Sequence, residues 1–297
     1  MSIEARREAG LDPARSGAGT VSEPGPPKPA RRSRAADLFS KVAPPLIVFV
    51  AFIAFWYAVS YLFLEETQRF LLPPPHDVFI VSFLDTVNLT EILNALLSTT
   101  QVALVGLAIA IVIGVSFAVL MSLGKWVERS LYPYAVILQT VPILAIVPLI
   151  GFWFDFNFRS RVIVCVIIAL FPIITNTLFG LQSVDQEMHD LFTLHKASRW
   201  TRLLKLQLPH ALPAIFAGFR ISAGLSVIGA IVGDFFFRQG EPGIGRLLDV
   251  YRAALQSEQL FAALFFSSLL GLVVFWFFGL IGHLLTRHWH DTAGQEV

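Results

Sequence analysis

The chain has 297 residues, of which 55% are hydrophobic and only 14% are charged, and its formal net charge is +1. Soluble globular proteins carry about 25% charged residues, so this composition excludes an ordinary soluble domain and indicates a membrane protein. The net charge does not favour nucleic acid as a partner, and the single cysteine, Cys165, excludes a disulfide framework and a thiolate metal site.

The N-terminal segment, residues 1–42, is rich in Pro, Gly, Ser, Ala and Arg and holds almost no large apolar side chain. Such a segment cannot bury enough apolar surface to offset the entropy lost on ordering, so we predict a disordered cytoplasmic tail. The first long apolar run begins only after Lys41, which argues against a secretory signal peptide.

Apolar segments long enough to cross about 30 Å of hydrocarbon as helices follow the tail. The six expected spans are residues 44–64, 96–123, 131–154, 162–182, 214–237 and 260–285. Pro142 and Pro148 fall inside the third span and predict a kinked helix buried against protein, because neighbours must satisfy the backbone groups that a proline frees. The fold is therefore predicted to be all-α, with a transmembrane domain over residues 43–286 and a polar cytoplasmic tail over 287–297.

The distribution of basic residues predicts the orientation of these spans. Six spans place both termini on the same side of the membrane. With the N-terminus inside, the inner segments hold fifteen lysines and arginines and the outer segments hold six. Such an excess is typical of the cytoplasmic side, so both termini are expected in the cytoplasm.

One polar segment, residues 183–213, is too long and too patterned to be a simple turn. It carries four basic residues, and helical periodicity of its apolar residues occurs twice within it. We interpret it as two short helices joined near residues 196–199, lying against the membrane on the cytoplasmic side. One face of this segment would be presented to a partner.

Motifs for covalent or nucleotide chemistry are missing from the sequence. It has no glycine-rich phosphate loop, no HExxH and no visible Ser/His/Asp constellation. His288 and His290 have a metal-like spacing of two, but a pair of histidines in a polar tail is more often a solvated surface. We therefore expect a chain that is not an enzyme and that binds no metal and no cofactor of its own.

Two ionisable residues lie inside the fifth span, where charges are costly and often functional. Arg220 either extends to the inner interface or attracts an anion at the inner end of a pathway. Asp234 lies about 21 Å further along an ideal helix, so the two cannot pair within it. Three alternatives are open for Asp234: it lies at the mouth of a translocation path, it pairs with a charge on an outer loop, or it is solvated at the interface. The other positions that could line a path are Gln139, Thr140, Pro172, Thr175, Asn176, Ser222 and Ser226.

The polar segment resembles the cytoplasmic loop of binding-protein-dependent ABC importer permeases, with its EAA…G…LP pattern. Asp190-Leu191-Phe192 stands where Glu-Ala-Ala would, and Leu208-Pro209 closes the pattern. Within that superfamily the chain looks most like the nitrate, sulfonate and taurine permeases. The supporting stretches are residues 72–75, 139–148, 149–154, 171–177, 197–199, 208–213, 218–221 and 243–245. The chain departs from the family at three places. Lys196 replaces the loop glycine, Leu191 and Phe192 replace the two alanines, and the turn after the third span, which carries a glycine in the family, reads Asp155-Phe156-Asn157-Phe158.

This resemblance implies a type I ABC importer permease in a bacterial plasma (inner) membrane. It would work with a second copy of itself, two cytosolic ABC ATPase subunits that bind ATP and Mg, and an external solute-binding protein. The residues implied in coupling to the ATPase are Asp190, Leu191, Phe192, Leu194, His195, Lys196, Ala197, Ser198, Arg199, Leu208 and Pro209.

A nitrate-, sulfonate- or taurine-like anion is the expected cargo, transported by alternating access. A thiamine-precursor pyrimidine or riboflavin is the alternative within the same importer class. A polytopic membrane enzyme would need a polar catalytic cluster at one interface, and a stand-alone ion-coupled transporter would need more intramembrane carboxylates. Neither feature is evident in the sequence.

Overall fold

The structure is a computed structural model that describes residues 34–286. The chain divides into two units after Phe52. The described part of the first unit is a stretch of the helix α1 (Arg34–Ala58). Of the tail predicted over residues 1–42, the part up to residue 33 lies outside the described residues, and residues 34–42 are helical as the start of α1. The tail predicted over 287–297, with His288 and His290, also lies outside the described residues.

The second unit begins within α1 and is helical throughout its regular structure. A π-helical turn (Val59–Phe63) and a 3₁₀ turn (Glu66–Leu71) lead to the remaining helices. These are α2 (Pro75–Phe83), α3 (Thr86–Ser122), α4 (Lys125–Thr140), α5 (Ile143–Phe154), α6 (Phe158–Gln182), α7 (Gln186–Leu194), α8 (Arg199–Arg202), α9 (Leu208–Phe236), α10 (Ile244–Ala253) and α11 (Ser257–Thr286). No strand occurs between residues 34 and 286, so the predicted all-α class is confirmed.

Five helical segments of the described chain are long and apolar enough to cross a membrane. They are Val42–Phe63, Thr86–Ser122, Phe158–Gln182, Arg199–Phe236 and Ser257–Leu285. The pair α4 and α5 makes a sixth span if it is counted as one broken helix. The predicted spans therefore correspond to observed helices, although the helix of the second span begins earlier than expected.

The third predicted span, 131–154, is not one kinked helix. Its two helices meet at an angle of 97°, with Val141 and Pro142 between them. Both residues are extended, because a proline disfavours helical conformation in the residue before it and cannot donate a helical hydrogen bond. On α5, Val147, Ile150 and Gly151 are buried, whereas Phe152 and Trp153 are 74% and 68% exposed in the single chain.

The core of the second unit is formed where α6 packs between α3 and α9. Cys165 of α6 lies at the closest approach, with Gly106 of α3 and Gly229 of α9 against it. A Cβ at either glycine would overlap Cys165, so the missing side chains allow the backbones to approach. The expected role of Cys165 as a small apolar filler is confirmed, since it is fully buried.

The second helix of the polar segment 183–213 is not short, contrary to the prediction. α8 continues through a π-helical turn (Leu203–Gln207) into α9, giving one helical run of 38 residues from Arg199 to Phe236. In the π turn the Leu208 N–H bonds the carbonyl of Leu203 rather than that of the fourth residue back. This wider turn lies directly before Pro209, whose nitrogen has no hydrogen to donate, and so it accommodates the proline within the helix.

Candidate functional site

The coupling segment predicted at residues 190–199 begins as the helix α7, which has no buried residue. Leu191 is 46% exposed and Leu194 is 80% exposed, while Phe192 is half-buried. Asp190 accepts a hydrogen bond from Gln186 at 3.1 Å, on the exposed surface of the same helix. Apolar side chains that remain this exposed on a short helix are typical of a contact surface for another protein.

The helix α7 ends in a turn that needs a left-handed residue, and Lys196 provides it with a φ of 50°. The Ala197 N–H bonds the Phe192 carbonyl at 3.0 Å, and the Lys196 N–H bonds the Thr193 carbonyl at 2.9 Å. This pair of bonds is the Schellman motif, which usually has glycine at the left-handed position. Lys196 therefore keeps the backbone geometry expected of the family's glycine, at a conformational cost of about 1–2 kcal/mol.

Two side-chain contacts fix the geometry of the turn. Ser198 caps the following helix, since its Oγ accepts the Thr201 N–H at 3.1 Å. Arg202 donates to Thr193 Oγ1 at 2.9 Å and so joins the second helix to the end of the first. His195 Nδ1 lies 2.9 Å from the Leu191 carbonyl, Ala197 is half-buried, and Arg199 is exposed as the first residue of α8.

The base of the coupling segment is anchored to the transmembrane core. Leu203 is buried against Leu181 at the end of α6, and Leu208 packs against the same cluster. Gln207 adds a hydrogen bond to the Leu181 carbonyl at 3.2 Å. Pro209, the last residue of the predicted coupling pattern, is half-buried one residue further along the long helix.

The predicted path residues do not all lie in one place. Gln139 and Pro172 line one cavity of about 470 Å³, formed at the break between α4 and α5 together with α6 and α9. Thr140, next to Gln139, is exposed and donates to the Ile137 carbonyl at 3.0 Å. Thr175 and Asn176 donate to carbonyls around Pro172, at 3.0 Å to Phe171 and 2.8 Å to Pro172.

The two serines of the predicted path are fully buried in helix packing. Ser222 donates to the Ala169 carbonyl of α6 at 2.7 Å, and Ser226 donates to the Ala223 carbonyl of its own helix at 2.9 Å. Arg220 lies elsewhere, in a groove between α9 and α11, with its guanidinium 4.1 Å from the centre of the Phe275 ring. This groove is different from the cavity that Gln139 and Pro172 line.

Asp234 lies in a buried polar cluster at the end of the long helix opposite to the coupling segment. Its partner is Arg161, with 3.1 Å between Nη1 and Oδ1, and their side chains are 0% and 3% exposed. Asp234 was predicted to lie at a path mouth, to pair with an outer-loop charge or to be solvated, and the structure pairs it. Arg161 was expected in the polar turn before the fourth span, but it belongs to the first turn of α6.

The cluster also holds the chain between α9 and α10 in place. Arg161 donates to the carbonyls of Glu241 at 3.0 Å and Gln239 at 2.8 Å. Thr99 of α3 donates to Asp234 Oδ2 at 2.5 Å and accepts the Ile244 N–H at 2.8 Å. One carboxylate thus connects α3, α6 and α9 to the N-terminus of α10.

Sequence reasoning missed Arg161 and Thr99 as members of this cluster. The signal for Arg161 was its position directly before a long apolar run, where a charge needs a partner. Thr99 carries no comparable signal, since threonine is common in helices. The arrangement has no free nucleophile and no metal-ligand set: groups of three or more His, Cys, Asp or Glu that could hold a metal do not occur in the described part of the chain.

Comparison with known proteins finds a matching family and named relatives. The family described as the binding-protein-dependent transport system inner membrane component matches residues 110–288. A formylaminopyrimidine transport permease protein of Halalkalibacterium halodurans is 34% identical, over 70% of this chain and 82% of that protein. A bicarbonate transport system permease protein of Synechococcus elongatus is 33% identical, over 69% of this chain and 71% of that protein.

A solved structure has the same fold. A chain in a crystal structure of an amino acid ABC transporter with histidines is 18% identical to this chain, with a TM-score of 0.54. It covers 70% of this chain and 99% of its own length. Together with the sequence match, this shows that the chain belongs to the binding-protein-dependent transport system inner membrane components, the permease subunits of ABC importers.

Proposed function

We propose that this permease imports a small anion of the nitrate, sulfonate or taurine class, working as a homodimer with two ABC ATPase subunits. An external solute-binding protein would deliver the cargo. The observation that carries the coupling assignment is the geometry of the α7–α8 turn. It presents an exposed apolar helix at one end of a continuous helical run whose other end holds Asp234.

The helix α7 would dock in a groove of the ATPase through Leu191 and Leu194. Closure of the ATPase dimer on ATP would displace α7. Because Arg202 bonds Thr193, this displacement would pass to the helix that starts at Arg199. That helix runs 38 residues without a break, so a movement at the turn would be transmitted through the membrane and would favour alternating access.

The orientation of the chain follows from its basic residues. Fifteen lysines and arginines on the side of the coupling segment, against six on the other, support cytoplasmic termini in a bacterial inner membrane. ATP and Mg would be bound by the ATPase subunits, and this chain would perform no covalent chemistry. It would contribute the translocation path and the long helix that transmits the movement of α7.

Each of the two substrate alternatives is supported by one relative. The bicarbonate permease relative supports an anion. The formylaminopyrimidine permease relative favours the alternative, a thiamine-precursor pyrimidine or riboflavin. Affinity and specificity would lie mainly in the solute-binding protein, so the ligand that this partner binds distinguishes the two. An anion that this partner binds, and that a pyrimidine displaces poorly, would support the first proposal.

The coupling assignment is tested by Ala197→Glu and Ser198→Glu in proteoliposomes that contain the ATPase and the binding protein. We expect ATP-driven uptake to be lost and ATP hydrolysis to become independent of the binding protein, with membrane insertion unchanged. Lys125→Glu, an exposed change on the other inner turn, is the matched control and should retain uptake. Normal uptake in the Ala197 and Ser198 variants would contradict the assignment.

A further inference from the structure

The groove between α9 and α11 contains an arginine that no acidic side chain neutralises within residues 34–286. Arg220 has no hydrogen bond and no ion pair to the described residues, and its one specific contact is the face of Phe275. The groove around it has a volume of about 260 Å³, and Gly279, Gly282 and His283 of α11 form one wall. A guanidinium has five N–H donors, so this one is available to an anionic ligand.

Gly279 determines where the guanidinium of Arg220 lies. A Cβ built on Gly279 would be 3.1 Å from Arg220 Nε, and the next two closest atoms also belong to Arg220. The absence of a side chain at residue 279 therefore lets Arg220 lie flat across α11, over Phe275. The donors of the guanidinium are held at a defined place in the groove, instead of moving freely along the surface of the helix.

The position along both helices matches the boundary of the membrane. Arg220 is 16 residues from the end of its helix at Phe236, which is about 24 Å along an ideal helix. Gly279 is 22 residues from the start of its helix at Ser257, which is about 33 Å. With the far ends of both helices at the opposite boundary of a hydrocarbon core of about 30 Å, both residues lie near the boundary on the side of the coupling segment, where the long arginine side chain reaches the lipid phosphates.

A separate apolar cleft lies next to this charged groove, further from the coupling segment along the two helices. It lies between the same two helices, has a volume of about 580 Å³, and shares Phe275 with the contact to Arg220. Gly224 and Gly271 line it, and a Cβ on either would have its nearest neighbour at 4.0 Å. The cleft thus offers open apolar space directly beside a fixed positive charge.

We infer that this groove and cleft form a binding site for an anionic phospholipid of the cytoplasmic leaflet. Arg220 would hold the phosphate by charge-assisted hydrogen bonds, with His283 beside it, and an acyl chain would occupy the cleft past Gly224 and Gly271. The depth of the arginine and the adjacent apolar cleft favour a lipid over a water-soluble anion. The choice of leaflet depends on the orientation under the proposed function, but the binding site itself does not.

The test is native mass spectrometry of the full-length permease, purified without its ATPase, with phosphatidylglycerol or phosphatidylcholine of identical chains as the probe. We expect wild type to retain phosphatidylglycerol about tenfold better than phosphatidylcholine, and Arg220→Gln to remove that preference. Gly224→Leu should reduce retention of both lipids, because it fills the cleft. Arg129→Gln, an exposed arginine on the same side of the membrane, is the control and should keep the preference.

Three results would overturn the lipid site. The first is equal retention of the two lipids by wild type. The second is displacement of phosphatidylglycerol by millimolar glycerol phosphate, which would assign the groove to a soluble anion. The third is a wild-type dimer that retains no lipid and dissociates in Arg220→Gln, which would assign the groove to a second copy. Since lipid retention is measured without transport, its failure is distinguishable from failure of the importer proposal.

Discussion

Arg161 and Asp234 are 73 positions apart in the chain, yet they form an ion pair of 3.1 Å that is closed to solvent. The pair lies where α3, α6 and α9 meet the loop to α10. Two carbonyls of that loop accept hydrogen bonds from Arg161, and Thr99 donates to the carboxylate. One network of charges therefore positions the loop and the ends of three helices that lie far from the coupling segment.

Asp234→Asn should lower the free energy of unfolding of the detergent-solubilised permease by about 3–5 kcal/mol, because it leaves the Arg161 charge buried without a counter-ion. Thermal unfolding followed by circular dichroism measures this. Glu66→Gln is the control, since Glu66 pairs with Arg69 at 3.9 Å with its own side chain 90% exposed. That surface pair should contribute less than about 1 kcal/mol.

The double variant Arg161→Met, Asp234→Leu distinguishes the loss of the ion pair from the cost of burying one charge without its partner. Replacing both charges by apolar side chains removes the unpaired charge, so this variant should be more stable than Asp234→Asn. A double variant as unstable as the sum of the two single changes would show that the residues do not interact, contrary to the geometry.

The close approach of the α10 N-terminus to Asp234 gives a second prediction. A Cβ on Gly243 would overlap the Asp234 carboxylate, and one on Gly245 would overlap the Ile231 carbonyl. Either glycine replaced by alanine should therefore destabilise the permease by about 1–3 kcal/mol through overpacking. Gly124→Ala is the matched control, because nothing lies within 4 Å of a Cβ at that position. The comparison is made by thermal unfolding, and equal effects at all three glycines would contradict the packing.

The sequence indicated the helices well because their signal is local. The apolar runs had the length and composition that a bilayer demands, and a junction between two helices was expected near residues 196–199, directly after the observed end of α7 at Leu194. Pro142 marked the break in the third span but not its angle of 97°, which depends on packing against other helices. Pro209 was interpreted as the end of a loop, because the π turn that accommodates it has no signature in a single sequence.

The polar cluster was less accessible to sequence reasoning. Asp234 attracted attention as a charge inside a span, and pairing with an outer-loop charge was one of three alternatives expected for it. Identifying Arg161 required knowing that α6 begins at Phe158 and that its first turn packs against the end of α9. Such contacts join residues far apart in the chain and depend on the whole helix arrangement.

Lys196→Gly should stabilise the permease or leave its stability unchanged. The φ of 50° costs a lysine about 1–2 kcal/mol, whereas glycine adopts it freely but loses more entropy on folding. We expect a gain of up to about 1 kcal/mol in the free energy of unfolding. Lys205→Gly, an exposed lysine in a helical conformation, should instead lose about 1 kcal/mol. Two losses of equal size would contradict the left-handed conformation at Lys196.

Tyr251 of α10 donates a hydrogen bond to Glu91 of α3 at 3.0 Å and is 3% exposed. Burial, followed by the hydrogen bond to Glu91 and its charge, raises the pKa of Tyr251 above the ordinary tyrosine value. In the unfolded chain the phenol ionises near pH 10, so its stabilising contribution is complete below about pH 10 and decreases as the pH rises further.

Tyr251→Phe removes both this bond and its pH dependence. At pH 8 we expect the variant to unfold with a free energy lower by about 1 kcal/mol. Between pH 8 and pH 10.5, thermal unfolding should show a smaller loss of stability in Tyr251→Phe than in wild type, because phenylalanine has no proton to release on unfolding. Tyr134→Phe, which changes a tyrosine that is 67% exposed, should keep the wild-type pH dependence. If Tyr251→Phe loses as much stability as wild type over this range, the raised pKa of Tyr251 is refuted, and with it the view that the Tyr251–Glu91 bond fastens α10 to α3.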